Sequence, residues 1–175
     1  MFETANLIKT KDGVVFNISN HNHYSGYLWF KEIVDCDVFP CFVDYGHIDG
    51  GMNIVNDDLL LLCFNSDHIS ESEILKKIPT PFKKCDVITV DKNPKSYKRK
   101  TDVFLASKGG MEINSLSINP NTIIISKNKS LKKKLNDRNI DVIEMSLKHD
   151  RLFNGGVHCV TVDLERSDDE STLSI

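Results

Sequence analysis

One layout recurs three times along this chain and constrains its fold more than any other feature: strand, tight polar turn, strand, helix, strand. The first copy reads ANLIKT over 5–10, the turn Lys11-Asp12-Gly13, VVFNIS, a helix over 24–34 and VFPCFVD. The second reads MNIV, the turn Asn56-Asp57-Asp58, LLLLCF, a helix over 70–78 and CDVITV. The third reads EINSLSI, the turn Asn119-Pro120-Asn121, TIIIS, a helix over 130–137 and IDVIEMS. The turns carry the residues that tight hairpins use: Gly and Asn accept positive φ, and Asp or Asn side chains bond nearby backbone. The apolar runs of five or six residues are too short for helices. Ser70 followed by Glu73 has the form of a helix-starting capping box. The predicted class is therefore α/β, built from ββαβ units.

Two segments fall outside the period. Residues 91–110 separate the second and third units, contain KNPKSYKRK, and read as a long exposed loop. After the third unit comes one more strand, VHCVTVDL, with no hairpin or helix following it. The expected domain covers 1–164. The remainder, 165–175 (ERSDDESTLSI), is a polar, acidic tail expected to be disordered.

Composition narrows the function classes. The chain has 175 residues, enough for one domain with a real core. With 22 basic and 25 acidic side chains, interspersed, its net charge is -3, which argues against a nucleic-acid partner. The densest basic stretch, Lys129 to Lys134, reads as the solvated face of a helix. No apolar run is long enough to span a bilayer, and the opening MFETANLIKT lacks the apolar region of a signal peptide, so the expected location is cytoplasmic. The five cysteines (36, 41, 63, 85 and 159) are odd in number and lack C-x-x-C spacing, so neither a disulfide framework nor a zinc site is expected.

Cys159 stands apart, in Asn154-Gly155-Gly156-Val157-His158-Cys159, where a glycine turn enters the last strand. A nucleophilic cysteine needs partial exposure and a setting that lowers its pKa. The alternative is a small buried hydrophobe in a strand, which is the reading for Cys36, Cys41, Cys63 and Cys85. His47 and Asp49 lie in Asp44-Tyr45-Gly46-His47-Ile48-Asp49-Gly50-Gly51, and on extended backbone an i, i+2 pair shares one face. Such a pair can act as proton shuttle and cation-binding anion, or be an ordinary surface pair. Glu3, ahead of the first strand, could orient His47 or bind a cation, and Ser107 lies in LASKGG. His21, His23, His68 and His149 read as surface residues, and His158 as a strand residue facing away from Cys159. Tyr24, Tyr27, Trp29 and Phe30 fit the packed face of the first helix.

Several segments together resemble the guanidino-group-modifying superfamily, and most closely its amidinotransferases. FETANLI is similar to that family's F-D-A-A-D-F-I strand, and HYSGYLWF to its T-N-Y-L-G-I-E-W helix start. HIDGGMNIV is similar to H-I-D-x-x-F-N-I, and GGVHCVTVDLER to G-G-G-F-H-C-W-T-C-D-V-R-R. The similarity runs in order to about Arg166. It implies a pentein-type α/β propeller of five ββαβ units, of which about three are present.

In the chemistry that the resemblance implies, Cys159 attacks the guanidine carbon of arginine and carries its amidino group to an amine acceptor. His47 would protonate the leaving amine and deprotonate the incoming one. Asp49 would hold the planar guanidinium, with Asp44 and Ser107 also on the substrate side and Glu3 pairing with the histidine or substrate. No metal or organic cofactor is implied. Position 3 is Glu, as in hydrolytic members, which keeps a deiminase-like guanidine hydrolase as the alternative. An arginine expected after the H-I-D segment is replaced by Ser66. A non-catalytic remnant is the third reading. An open arc exposes unpaired edges, so a homo-oligomer or a separately encoded N-terminal half is an expected partner.

Overall fold

The structure is a computed structural model, described here for residues 4–43, 47–91, 112–148 and 155–161. The three units are present as three small sheets. In the first, β1 (Leu7–Thr10) pairs antiparallel with β2 (Gly13–Asn17), which runs parallel to β3 (Val38–Cys41). In the second, β4 (Met52–Asn56), β5 (Leu59–Phe64) and β6 (Asp86–Asp91) repeat that order and sense. The third does so with β7 (Leu116–Asn119), β8 (Thr122–Ser126) and β9 (Asp141–Met145). A helix bridges the parallel pair of each unit: α1 (His21–Ile33), α2 (Glu71–Lys76) and α3 (Lys129–Asn136).

The local chemistry explains the boundaries. Asn20 and Asn128 cap α1 and α3 by accepting from His23 N and Leu131 N, each at 3.0 Å. Ser70 and Glu73 form the expected capping box on α2. Because Asn20 is the cap, α1 starts three residues earlier than expected. The third unit's first strand starts at Leu116 rather than at 112, since 112–113 form a turn and 114–115 have no regular structure.

Alternating side chains of β5 explain how the units stack. Leu60, Leu62 and Phe64 point into a core shared with Val15, Cys41 and Val43 of the first unit and with Ile74 of α2. Leu59, Leu61 and Cys63 point the other way, into a core shared with Ile123, Ile125, Leu131 and Leu135 of the third unit. A strand buried on both faces reads as an unbroken apolar run, which is why LLLLCF shows no alternation. Leu60, Leu61 and Leu62 are fully buried, and burial of each such side chain contributes roughly 1.5–3 kcal/mol. Thus α2 lies between the first and second sheets, and α3 between the second and third.

By the same rule α1 should have a sheet on either side, and among the described residues it has one. Tyr27 and Phe30 pack on Phe16 and Val38 of its own unit. Tyr24, Leu28, Trp29 and Ile33 are exposed instead, which corrects the expectation that Tyr24 and Trp29 pack inward. Two further expectations change. His23 is buried and hydrogen-bonded to Ser19 rather than at the surface. Cys36 is exposed, whereas Cys41 and Cys63 are buried and Cys85 half-buried.

The first strands of neighbouring units are joined by side chains. Asn53 Nδ2 of β4 donates to the carbonyls of Ile113 (3.1 Å) and Ser115 (2.7 Å), and Ser117 Oγ of β7 donates to Ile54 O at 3.0 Å. Among the described residues no helix is long and apolar enough to cross a membrane.

Candidate active site

The turns that lead into the first strands carry the site. Ile48–Gly50 is a single 3-10 turn, closed by Gly50 N to His47 O (3.2 Å) and Gly51 N to Ile48 O (2.9 Å). The i, i+2 argument for His47 and Asp49 assumed extended backbone and does not hold here. In a 3-10 turn two residues span about 240°. Accordingly His47 is exposed while Asp49 is buried at 7%.

His158–Val160 is a second 3-10 turn, not the start of a strand. Buried Val157 anchors it, and its N–H donates to Asn114 O at 3.1 Å. Residues 162–164 of the expected strand lie outside the described residues. The turn carries His158 and Cys159 toward Asp49. Cys159 Sγ lies 3.7 Å from Asp49 Oδ2, and His158 Nδ1 is 2.9 Å from that same oxygen. His158 therefore faces the site, contrary to the strand-based expectation, because a 3-10 turn does not send adjacent side chains to opposite faces.

Asn114 joins the two turns. Its Nδ2 donates to Asp49 Oδ2 at 2.9 Å and to Cys159 Sγ at 3.2 Å, and its Oδ1 accepts from Cys159 N at 3.2 Å. It is fully buried. In the sequence Asn114 lies inside EINSLSI, a run expected as strand, and is not among the expected site residues. A signal was available: an asparagine precedes the first strand in both A-N-L-I and I-N-S-L, and both Asn6 and Asn114 are buried.

The electrostatics of the thiol run against the expectation of a lowered pKa. Burial comes first and pushes Cys159 up, and the Asp49 carboxylate pushes the same way. The backbone at Gly156 and the Asn114 amide oppose this by hydrogen-bonding the sulfur. The resting site thus favours a neutral thiol beside a carboxylate. Asp49 Oδ1 is buried and has no partner among the described residues. An unpartnered buried carboxylate oxygen is costly, and a cationic N–H donor would satisfy it.

Of the sequence-predicted residues, the structure brings Asp49 and Cys159 together and sets His47 at the exposed start of the Asp49 turn. Glu3, Asp44, Ser107 and His149 lie outside the described residues. Among the described residues no group of three His, Cys, Asp or Glu side chains could hold a metal ion.

The chain has the fold of a pentein-type α/β propeller, with three ββαβ units described, and among solved structures it is similar to several guanidino-group-modifying enzymes. It superposes on the inosamine-phosphate amidinotransferase of Streptomyces griseus with a TM-score of 0.73 at 18% identity, covering 96% of this chain and 47% of that one. An amidinotransferase of Microseira wollei from the saxitoxin biosynthetic pathway gives 0.73 at 17% identity, covering 96% and 46%. The substrate-bound N-terminal domain of a cyanobacterial arginine dihydrolase gives 0.59 at 17% identity, covering 90% and 54%. The chain thus spans about half the length of the two amidinotransferases and about half of the dihydrolase's N-terminal domain. No protein-family model matches the sequence, and a search of curated proteins returns no significant match.

Proposed function

We propose that this arc carries the nucleophile-bearing half of an amidinotransferase site that takes the amidino group of arginine. The observation that carries the reading is Cys159 Sγ at 3.7 Å from Asp49 Oδ2, with the buried Oδ1 of that carboxylate left open to a donor. A guanidinium bound edge-on to Asp49 brings both a positive charge and its electrophilic carbon to the sulfur. Its charge offsets the carboxylate that holds the thiol neutral, so substrate itself promotes thiolate formation. The thiolate adds to the guanidinium carbon. The C–Nε bond then breaks, with a proton delivered to nitrogen by His47, and ornithine leaves. The resulting S-amidino cysteine passes its carbon to an acceptor amine, which loses a proton to His47 as the thiolate is released.

The hydrolytic alternative shares the first attack but expels ammonia, and water then releases citrulline. Glu3 is the feature that favours it.

The reading includes further ββαβ units, supplied by a partner chain or by more of the same protein. Its support is the exposed apolar stripe of α1, on the side where α2 and α3 are each covered by the preceding unit's sheet.

Incubation with labelled arginine, with and without glycine as acceptor, followed by intact mass, tests the reading. An amidino adduct on Cys159 is expected, with ornithine as product and loss of all signal in Cys159→Ala. Citrulline would establish the hydrolase instead. No adduct, even with a complementing half present, would refute both.

A further inference from the structure

We infer that Asn114 is the positioning residue of this site: it fixes the thiol of Cys159 against Asp49 and sets how readily the thiolate forms. The inference rests on the reading of Cys159 as nucleophile, but its test reads the thiol itself and needs no guanidine reaction.

The geometry is specific to this side chain. An amide presents a donor and an acceptor from one rigid plane. The donor of Asn114 is shared between Asp49 Oδ2 and Cys159 Sγ, and its acceptor takes the Cys159 N–H. Its own carbonyl holds Val157, so one residue grips the turn that carries the nucleophile both at its entry and at Cys159 itself. Asp would keep the acceptor but lose the donor, and it would add a second negative charge beside Asp49 and the sulfur. Ser is too short to span both partners.

Asn114 is itself held from two sides. Asn53 of β4 pins the backbone on either side of it, through Ile113 O and Ser115 O. Gly156 lies against its side chain so closely that a Cβ there would stand 2.5 Å from Asn114 Oδ1 and 2.7 Å from its Cβ. The second glycine of the Gly155-Gly156 pair is therefore required by Asn114, not by a turn of unusual backbone.

The donor bond to sulfur is one of the two contacts that favour the thiolate, against burial and the Asp49 charge. Removing it moves the thiol further from ionisation. The experiment is the pH dependence of iodoacetamide alkylation at Cys159, followed by peptide mass. It is run in Asn114→Asp, which preserves size, and in Gly156→Ala, which displaces the amide without deleting it. Thermal melts of both variants report folding. Both are expected to raise the alkylation midpoint relative to the parent, by about one unit or more for Asn114→Asp. At neutral pH the alkylation rate should fall on the order of tenfold. Asn114→Gln, with the same groups on a longer stem, should restore part of the rate. A midpoint equal to the parent's in either folded variant overturns the inference. So does a change in melting temperature with no change in the alkylation profile, since that is the signature of a purely structural side chain.

Discussion

Replacing Asp49 by Asn should make Cys159 a more acidic thiol and at the same time destroy the guanidine chemistry. The carboxylate oxygen lies 3.7 Å from the sulfur. At that separation two unit charges repel by about 1 kcal/mol in a water-like dielectric and by about 4.5 kcal/mol at an effective dielectric of about 20. One pKa unit corresponds to ~1.4 kcal/mol, so the bracket is roughly 0.8 to 3 units. The sulfur is partly open to solvent and Asp49 Oδ2 already accepts from Asn114, so the lower half of that range applies. The expected downward shift is about 1 to 2 units. Asn is isosteric and retains an oxygen for Asn114 and His158, which keeps the turn in place. The assay is the pH profile of Cys159 alkylation in a Cys36→Ser background, because Cys36 is also exposed. The same variant should form the amidino adduct from arginine at least about 100-fold more slowly, having lost the counter-charge for the guanidinium. A midpoint that stays put or rises would refute the premise that Asp49 holds the thiol neutral. A lowered midpoint with undiminished adduct formation would refute Asp49 as the guanidinium ligand.

Two further outcomes test the scaffold. Burial pushes the Cys41 thiol up to about 11 from a reference of 9.0. A raised folded-state pKa gives stability that is present below pH 9 and lost as pH rises through 11; over that window roughly 3 kcal/mol should disappear, and Cys41→Ala should flatten this leg of the denaturant-midpoint profile. Gly13 closes the first hairpin at φ 138, and a Cβ there would stand 2.2 Å from Asp37 O. Gly13→Ala should therefore lower stability by about 2 kcal/mol or more in urea titrations, and an unchanged midpoint would contradict that geometry.

Much of the fold was legible because turn chemistry and strand length are local. Lys11-Asp12-Gly13, Asn56-Asp57-Asp58 and Asn119-Pro120-Asn121 each announce a hairpin, and each hairpin is there. What was misread depends on neighbours that sequence does not display. Trp29 looks like a core residue on any helical wheel, yet it is half exposed, because among the described residues no sheet packs on that side of α1. His158 and Cys159 lie in an apolar run of strand composition, yet Val157 is bonded to Asn114, 43 residues away, and the chain turns there. The orientation of His47 relative to Asp49 was not legible, because the turn over Ile48–Gly50 is too short to announce itself by periodicity.

The site itself follows from repetition with one change per unit. Ahead of the first strand of each unit the chain buries a polar side chain: Asn6 at 1% exposure, Asp49 at 7% and Asn114 at 0%. In the first unit that residue bonds a neighbour of its own unit: Asn17 Nδ2 donates to Asn6 Oδ1 at 3.1 Å, and Asn17 Oδ1 accepts from Val43 N. In the second and third units the equivalent residues bond one another and Cys159. Buried polar groups must be paired, so three such positions in adjacent units tend to be resolved either within a unit or across units. Resolution across units ties the second, the third and the closing turn into one rigid constellation, and it leaves one carboxylate oxygen over. Among the described residues that oxygen, Asp49 Oδ1, has no protein donor, and it is the acceptor that the proposed guanidinium would take.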